Sequence, residues 1–179
     1  DARGKVSLSW TAVAKVDRMT DDFEDYNSWS VDNAGDWSFH DGDKGVTYGY
    51  FDDQGLYYDN EKTPFAYIVW TPANYGGEDI TVANPTAKPY SGSNAMASVY
   101  SYNRKATGEL TPLAADNWMI SPELTGKAQT VMFRVNNISA SNPETYQVLY
   151  STTTAAHDQF QLVAEKTVSN SKWDEVSFE

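Results

Sequence analysis

Phe65-Ala66-Tyr67-Ile68-Val69-Trp70 is an unbroken apolar run. Every residue in it is apolar or aromatic, and Thr71-Pro72 ends the run. Proline has no amide hydrogen to donate to a neighbouring strand, so it marks the point where sheet pairing stops. A short apolar run with such a boundary predicts a strand that is buried on both faces.

Alternation of apolar and polar residues recurs on both sides of this run, whereas helical periodicity does not. Segments that begin near Val6, Ala95, Val131, Tyr146 and Val176 show it. Turn-forming Gly, Asn, Asp and Pro residues separate these segments. The pattern predicts an all-β fold, a β-sandwich of antiparallel sheets.

Two stretches depart from this pattern. Residues 71–94 are predicted to form one long, polar loop that contains Gly and Pro. The best helical candidate, Thr154 to Gln159, is too short to matter.

Composition supports one packed domain, or one domain and a fragment of another. The chain has 179 residues, of which 40% are hydrophobic and 14% aromatic, including six Trp and twelve Tyr. The absence of cysteine excludes thiol catalysis, cysteine-bound zinc and disulfides. No apolar run is long enough to span a membrane, since a span needs about 18 such residues.

The charge is strongly negative, at −12 with a sequence pI of about 4.4. Such a surface repels phosphate backbones and anionic lipids, so nucleic acid and direct membrane insertion are not expected. Twelve acidic residues lie between Asp17 and Asp59, against only Arg18 and Lys44. Either this segment is strongly solvated, or a cation neutralises part of it.

The chain offers little for catalysis. His40 and His157 are its two histidines, and no nucleophile-elbow or zinc-binding motif accompanies them, so both are expected to be exposed loop residues. A glycosidase needs only two carboxylates, but the spacing of Glu24, Glu123 and Glu144 gives no reason to pair any two. The sequence therefore predicts that the protein is not an enzyme.

The acidic loops could bind calcium, which takes oxygen ligands from Asp, Asn and backbone carbonyls in Gly-bearing loops. Asp32 to Asp36 and Asp41 to Asp43 offer that mixture, although the spacing is not that of an EF-hand. The candidate ligands in these loops are Asp32, Asp36, Asp41 and Asp43. The alternative is an ordinary pair of Asp-Gly turns without metal.

Tyrosines beside carboxylates form a candidate ligand-binding face, because their rings stack on sugar C–H groups while the acids accept hydroxyl protons. The candidates are Tyr48, Tyr50, Tyr57 and Tyr58 for stacking, with Asp52 and Asp53 for hydrogen bonds. The alternative is aromatic packing between strands of a sheet.

Seven landmarks occur in an informative order along the chain. They are Asp22-Phe23-Glu24, Trp29-Ser30-Val31-Asp32, Gly35-Asp36-Trp37, Pro64 to Trp70, Asp116 to Leu124, Tyr146 to Thr153 and Trp173 to Phe178. Together they resemble the cleaved adhesin, or choice-of-anchor J, family, which includes the adhesin regions attached to gingipain proteases. The clearest match is the stretch Asp116 to Leu124.

The resemblance implies a jelly-roll β-sandwich of the galactose-binding-like or MAM-like kind, covering residues 17–179. Family members carry structural calcium, which adds the entry acids Asp22 and Glu24 to the candidate ligands. The family normally continues past Glu179 through a closing acidic strand, so one sandwich edge is expected to be missing or supplied by something else. Residues 1–16 resemble a fibronectin type III strand, or serve as a leading strand.

The expected function is that of a non-catalytic, extracellular or cell-surface adhesion module that recognises a host protein or a glycan. The resemblance further implies a larger parent protein, with adjacent domains, from a Gram-negative anaerobe of the gut or mouth. Three alternatives stay open: a carbohydrate-binding accessory domain of a polysaccharide-degrading enzyme, a spacer without a ligand, and a glycosidase.

Overall fold

The computed structural model describes residues 19–179. The predicted leading strand near Val6 and the fibronectin-like segment therefore lie outside the described residues. None of the helices in the described part of the chain is long or apolar enough to cross a membrane.

Residues 19–179 contain eleven short strands and four single-turn 3₁₀ helices, with no α-helix among them. The strands are β1 Ser38–Asp41, β2 Val46–Thr47, β3 Ile68–Trp70, β4 Ala95–Ala97, β5 Ser101–Arg104, β6 Leu110–Pro112, β7 Asn117–Ile120, β8 Val131–Val135, β9 Glu144–Tyr150, β10 Gln161–Val168 and β11 Asp174–Phe178. The 3₁₀ helices are Asp52–Gln54, Pro72–Asn74, Pro85–Ala87 and His157–Gln159.

Every strand pair described is antiparallel. β1 pairs with β7, β3 with β4, β9 with β10, β8 with β11, and β5 lies between β2 and β6. This confirms the predicted all-β fold with antiparallel sheets. The jelly-roll connectivity stays a prediction, because these pairs form five small separate sheets.

Strand β3 is the centre of the core. Ile68, Val69 and Trp70 are all buried, and the strand pairs with β4 in the register Val69↔Met96. On its other side, Trp29 N donates to Val69 O at 2.9 Å and Val69 N donates to Ser30 O at 2.9 Å. The strand is therefore hydrogen-bonded along both edges as well as buried on both faces, as its sequence predicts.

The polar entry to β3 explains why the strand is shorter than the apolar run. Asp32 takes the place of a ladder partner, since its carboxylate accepts hydrogen bonds from the amides of Ala66 and Tyr67 at 3.0 and 2.9 Å. Asp32 N in turn donates to Tyr67 O at 2.9 Å. One side chain thus satisfies two backbone donors that would otherwise lack partners as the chain enters the core.

Large aromatic rings fill the space around β3. Trp29 stacks on Tyr58 with ring centroids 5.0 Å apart, and meets Trp70 and Tyr75 edge-on at 5.2 and 5.5 Å. Offset and edge-to-face pairs of this kind add to the stabilisation that burial itself provides. The remaining members of this buried cluster are Phe65, Ile68, Ile80, Ala87 and Val99.

Residues 71–94 contain no strand, as the predicted long loop implies, but they contribute apolar side chains to the core. Tyr75, Ile80 and Ala87 from this segment are buried in the core. Two indole N–H groups attach the segment to the core: Trp29 Nε1 donates to Asn74 O at 2.9 Å, and Trp70 Nε1 donates to Ala87 O at 3.0 Å. Residues 71–94 therefore pack against the core and form part of the folded domain.

The stretch predicted as one strand from Ala95 to Tyr102 is broken into β4 and β5. After β4 leaves β3, the chain turns and β5 pairs with β2 instead. In a single continuous strand, Tyr100 and Tyr102 would lie on the same face of the sheet. Because the strand is broken, Tyr102 is buried whereas Tyr100 is exposed.

The motif around Trp118 forms a strand, as predicted. β7 pairs with β1 so that Trp118 lies opposite His40, and Gly42 N donates to Asp116 O at 2.8 Å. Strands β8, β9 and β11 also form where alternation predicts them, whereas β10 lies in a stretch for which no strand was predicted. Their surfaces carry exposed apolar side chains such as Met132 and Leu162, so the densest core lies around β3.

We predict that Trp70→Phe lowers the free energy of unfolding by about 1–3 kcal/mol, because it leaves the buried Ala87 carbonyl without its indole donor. Trp173→Phe is the matched control, since Trp173 Nε1 donates to Lys88 O at 3.0 Å in an exposed setting where water can replace it. Urea unfolding measures both. Equal losses in the two variants would contradict the structural role given to the Trp70 hydrogen bond.

Candidate functional site

Four exposed tyrosines form what we call the tyrosine surface: Tyr48, Tyr50, Tyr57 and Tyr100. Tyr48 meets Tyr50 and Tyr100 edge-on, with ring centroids 6.0 and 6.1 Å apart. Sequence reasoning proposed the first three and missed Tyr100, which comes from the break between β4 and β5. Tyr100 comes close to Tyr48 because β2 pairs antiparallel with β5. This pairing forms only in the tertiary structure, so the local sequence gives no sign of it.

Tyr58 is placed differently from the prediction. Its side chain is only 4% exposed, its ring stacks on Trp29, and burial raises the pKa of its hydroxyl. That hydroxyl donates to Tyr48 O at 2.9 Å. The assignment of Tyr58 as a ligand-stacking residue is therefore corrected: it supports the tyrosine surface from below.

The backbone of the tyrosine surface is attached to the core by hydroxyl groups. Besides the bond from Tyr58 to Tyr48 O, the amide of Tyr50 donates to the hydroxyl of the buried Tyr75 at 3.1 Å. Two of the exposed rings are thus presented by a backbone that core tyrosines hold in place. Such preorganisation lowers the entropy cost of binding a ligand.

Asp52 is held by charged neighbours and is not a free acceptor. The Lys62 ammonium bridges Asp52 Oδ2 and Glu61 Oε1, and it lies 4.9 Å from the centroid of the Tyr57 ring. Asp53, the other predicted acceptor, is exposed beside it in the 3₁₀ turn Asp52–Gln54. Of the two, Asp53 is the carboxylate that is presented to solvent.

Asp52 and Glu61 form a carboxyl pair beneath the tyrosine surface. Asp52 Oδ1 and Glu61 Oε1 are buried and both face Gly49, where a Cβ would lie 2.1 and 2.3 Å from them. The Lys62 ammonium lowers the pKa of Asp52, while burial and the hydrogen bond with Asp52 raise the pKa of Glu61. The opposite directions of these two pKa shifts favour Glu61 over Asp52 as the carboxyl group of the pair that takes up a proton first.

The predicted metal ligands lie in separate places, and most accept hydrogen bonds from the chain. Asp32 holds the entry to β3, as described above. Glu24 accepts the amides of Ser93 and Asn94 at 2.9 and 2.8 Å, and a Cβ on Gly92 would lie 2.3 Å from Glu24 Oε1. Its carboxylate therefore fastens the loop before β4.

Three more of the predicted ligands, Asp43, Asp41 and Asp22, also accept hydrogen bonds from the chain. Asp43 Oδ1 accepts from Gly45 N and the Ser101 hydroxyl at 2.8 and 2.9 Å, which joins the loop after β1 to β5. Asp41 accepts from Lys44 N at 2.7 Å, Asp22 accepts from Glu24 N at 3.2 Å, and Asp36 is exposed.

Within residues 19–179, no three acidic or histidine side chains converge closely enough to hold a metal ion. The six acids named from the sequence therefore do not fit a calcium site made by their side chains together. Calcium binding stays a prediction of the family resemblance, and no step of the function proposed below depends on it.

The two histidines are not isolated loop residues, which corrects that expectation. His40 lies in β1 and His157 in a 3₁₀ turn, and their rings stack 3.9 Å apart with planes 17° from parallel. The ring centroids of Trp118 and His157 lie 5.7 Å apart. The histidines therefore join a loop to the β1–β7 pair, and this packing replaces the solvent exposure that the sequence suggested.

We predict that Glu61→Gln stabilises the protein more as the pH rises. Because the pKa of Glu61 is raised in the folded state, its contribution is fully present below its unfolded pKa and is lost as pH rises through its folded pKa. Glutamine cannot ionise and keeps a donor toward Asp52. Thermal unfolding midpoints from pH 4 to 8 measure the difference.

The exposed Glu78→Gln serves as the control for this experiment, and its midpoints should run parallel to those of the unmodified protein. A Glu61→Gln curve that also runs parallel, or that falls below at pH 8, would contradict a raised pKa of Glu61 in the folded protein.

Comparison with known proteins places the chain in a family. The family model described as Cleaved Adhesin Domain matches residues 65–178, which begins at the decisive apolar run and extends through β11. No curated protein and no solved structure matches the chain. Tyr48, Tyr50 and Tyr57 lie before the matched residues, so their role rests on geometry alone. Since the match covers more than half of the chain, the protein belongs to the cleaved adhesin family.

Proposed function

We propose that this domain is a non-catalytic adhesion module of a secreted or cell-surface protein, and that its tyrosine surface contacts a host protein or glycan. The family assignment supports adhesion. The observation that carries the choice of surface is the set of four exposed tyrosines on a fixed backbone. The domain works within a larger protein, whose other domains would position it.

Tyrosine suits this role because its ring offers a large apolar face with few rotatable bonds, while its hydroxyl can donate or accept. Exposed rings that stand edge-on to one another, as Tyr48 does to Tyr50 and Tyr100, present ring faces in more than one direction. A sugar can stack on such a face, and so can an apolar patch of a protein. Asp53 adds a solvent-exposed acceptor beside the rings.

The net charge of the domain limits the kinds of partner surface that it can bind. A net charge of −12 disfavours polyanions such as nucleic acid and favours neutral or basic partner surfaces. The Lys62 ammonium does not reverse this, because it is paired with the Asp52 carboxylate. Binding should therefore strengthen toward basic host proteins as salt is lowered, whereas binding to neutral glycans should not respond to salt.

We predict that the double variant Tyr48→Ala/Tyr57→Ala loses at least about tenfold in affinity, since each truncation removes an exposed aromatic ring from the proposed site. The measurement is binding to a panel of host glycans and a panel of extracellular matrix proteins. Tyr150→Ala is the matched control, because Tyr150 is an exposed tyrosine on β9, outside the tyrosine surface.

Binding that survives in the double variant would overturn the tyrosine surface as the site. Failure of the unmodified domain on both panels would overturn adhesion and favour a spacer. Hydrolysis of chromogenic sugars would contradict the non-catalytic assignment.

A further inference from the structure

A cavity of about 310 Å³ opens beside Tyr50 and extends toward the core. Four segments that are distant in sequence form its walls: the turn at Tyr50 and Phe51, strand β3, the chain from Ile80 to Ala87, and the chain after β8 at Ile138 and Ser139. We call it the Tyr50 cavity. It is absent from every sequence-based expectation, because only tertiary folding brings these segments together.

The walls of the Tyr50 cavity are fixed by hydrogen bonds. Trp70 Nε1 holds Ala87 O at 3.0 Å, and Asn136 Nδ2 holds Thr86 O at 2.9 Å. On the opposite wall, Asn142 Nδ2 donates to the Ser139 hydroxyl at 3.0 Å. The fold therefore holds these walls in place around a cavity that stays partly open to solvent.

The lining combines aromatic rings with uncharged polar groups. Tyr50, Phe51 and Trp70 provide the rings, with the Tyr50 and Trp70 centroids 6.0 Å apart and nearly perpendicular. Asn84, Thr86 and Ser139 add amide and hydroxyl groups. Rings that stack on C–H groups, beside amides and hydroxyls that exchange hydrogen bonds with several hydroxyls, are the chemistry that a sugar ring requires.

The volume of the Tyr50 cavity and the charge of its lining further restrict the class of ligand that it can bind. The volume is near the lower end of the roughly 300–1,000 Å³ typical of ligand sites, so it suits one ring rather than an extended chain. None of the described residues that line it is basic. Burial, with a contribution from the nearby Glu144 carboxylate, raises the pKa of Tyr50 to about 12. Acidic sugars and phosphates would lack a counter-charge here, and the Tyr50 hydroxyl stays a donor at neutral pH.

We propose that the Tyr50 cavity binds one neutral sugar ring at the end of a glycan. The proposal rests on the adhesion function above and names its ligand class and a second subsite: the ring enters the cavity, while the rest of the glycan lies across the tyrosine surface. Tyr50 belongs to both. An apolar protein side chain is the less suitable occupant, because it would strip water from Asn84, Thr86 and Ser139 without replacing those hydrogen bonds.

The test is NMR titration of the ¹⁵N-labelled domain with methyl glycosides of neutral hexoses and N-acetylhexosamines. We expect chemical-shift changes at the Trp70 indole and at the amides of Asn84, Thr86 and Ser139. Asn84→Ala and Thr86→Val should each weaken binding about tenfold, the loss of one well-formed polar contact to a ligand. Val82→Ala, an exposed neighbour outside the lining, should leave it unchanged.

Each other outcome overturns the proposal in a distinct way. Shifts confined to Tyr48, Tyr57 and Tyr100 would retain the tyrosine surface and remove the cavity. Shifts at the cavity with N-acetylphenylalanine amide but not with sugars would make it a side-chain pocket. The absence of shifts at millimolar sugar, in a domain that still binds matrix proteins, would remove the sugar subsite while adhesion stands.

Discussion

The burial of strand β3 between two hydrogen-bonded neighbours is the constraint on which the rest of the structure depends. Its three residues have no exposed face, so every polar group of their backbone needs a partner from the protein. β4 supplies one edge and the chain at Trp29 to Asp32 supplies the other. The aromatic rings around the strand then exclude water, which makes those hydrogen bonds costly to break.

The candidate site depends on the same core. Tyr58 and Tyr75 place their rings among Trp29 and Trp70, while their hydroxyls reach outward and hold the backbone at Tyr48 and Tyr50. The surface that we assign to binding is therefore the outer side of the aromatic cluster. A change that loosens the core would also loosen the presented rings, so stability and binding should be measured together in any variant of these tyrosines.

Local sequence pattern predicted the strands well where burial or alternation is strong. β3 follows from an uninterrupted apolar run, and β8, β9 and β11 follow from short alternating segments with turn residues between them. The pattern failed where a residue has two roles. Tyr58 looks like a surface ring beside acids, yet its ring fills the core, and Asp32 looks like a metal ligand, yet it accepts backbone amides. The carboxyl pair of Asp52 and Glu61 and the Tyr50 cavity arise from contacts between distant segments, which no local pattern records.

Amide hydrogen exchange of the native protein tests the central role of β3 most directly. We predict that the amides of Trp29, Asp32 and Val69, which pair the central strand with the chain at Trp29 to Asp32, exchange most slowly and only by global unfolding. Amides of the β9–β10 pair, whose side chains are largely exposed, should exchange faster through local opening. Slower exchange in β9–β10 than at Trp29, Asp32 and Val69 would contradict the account.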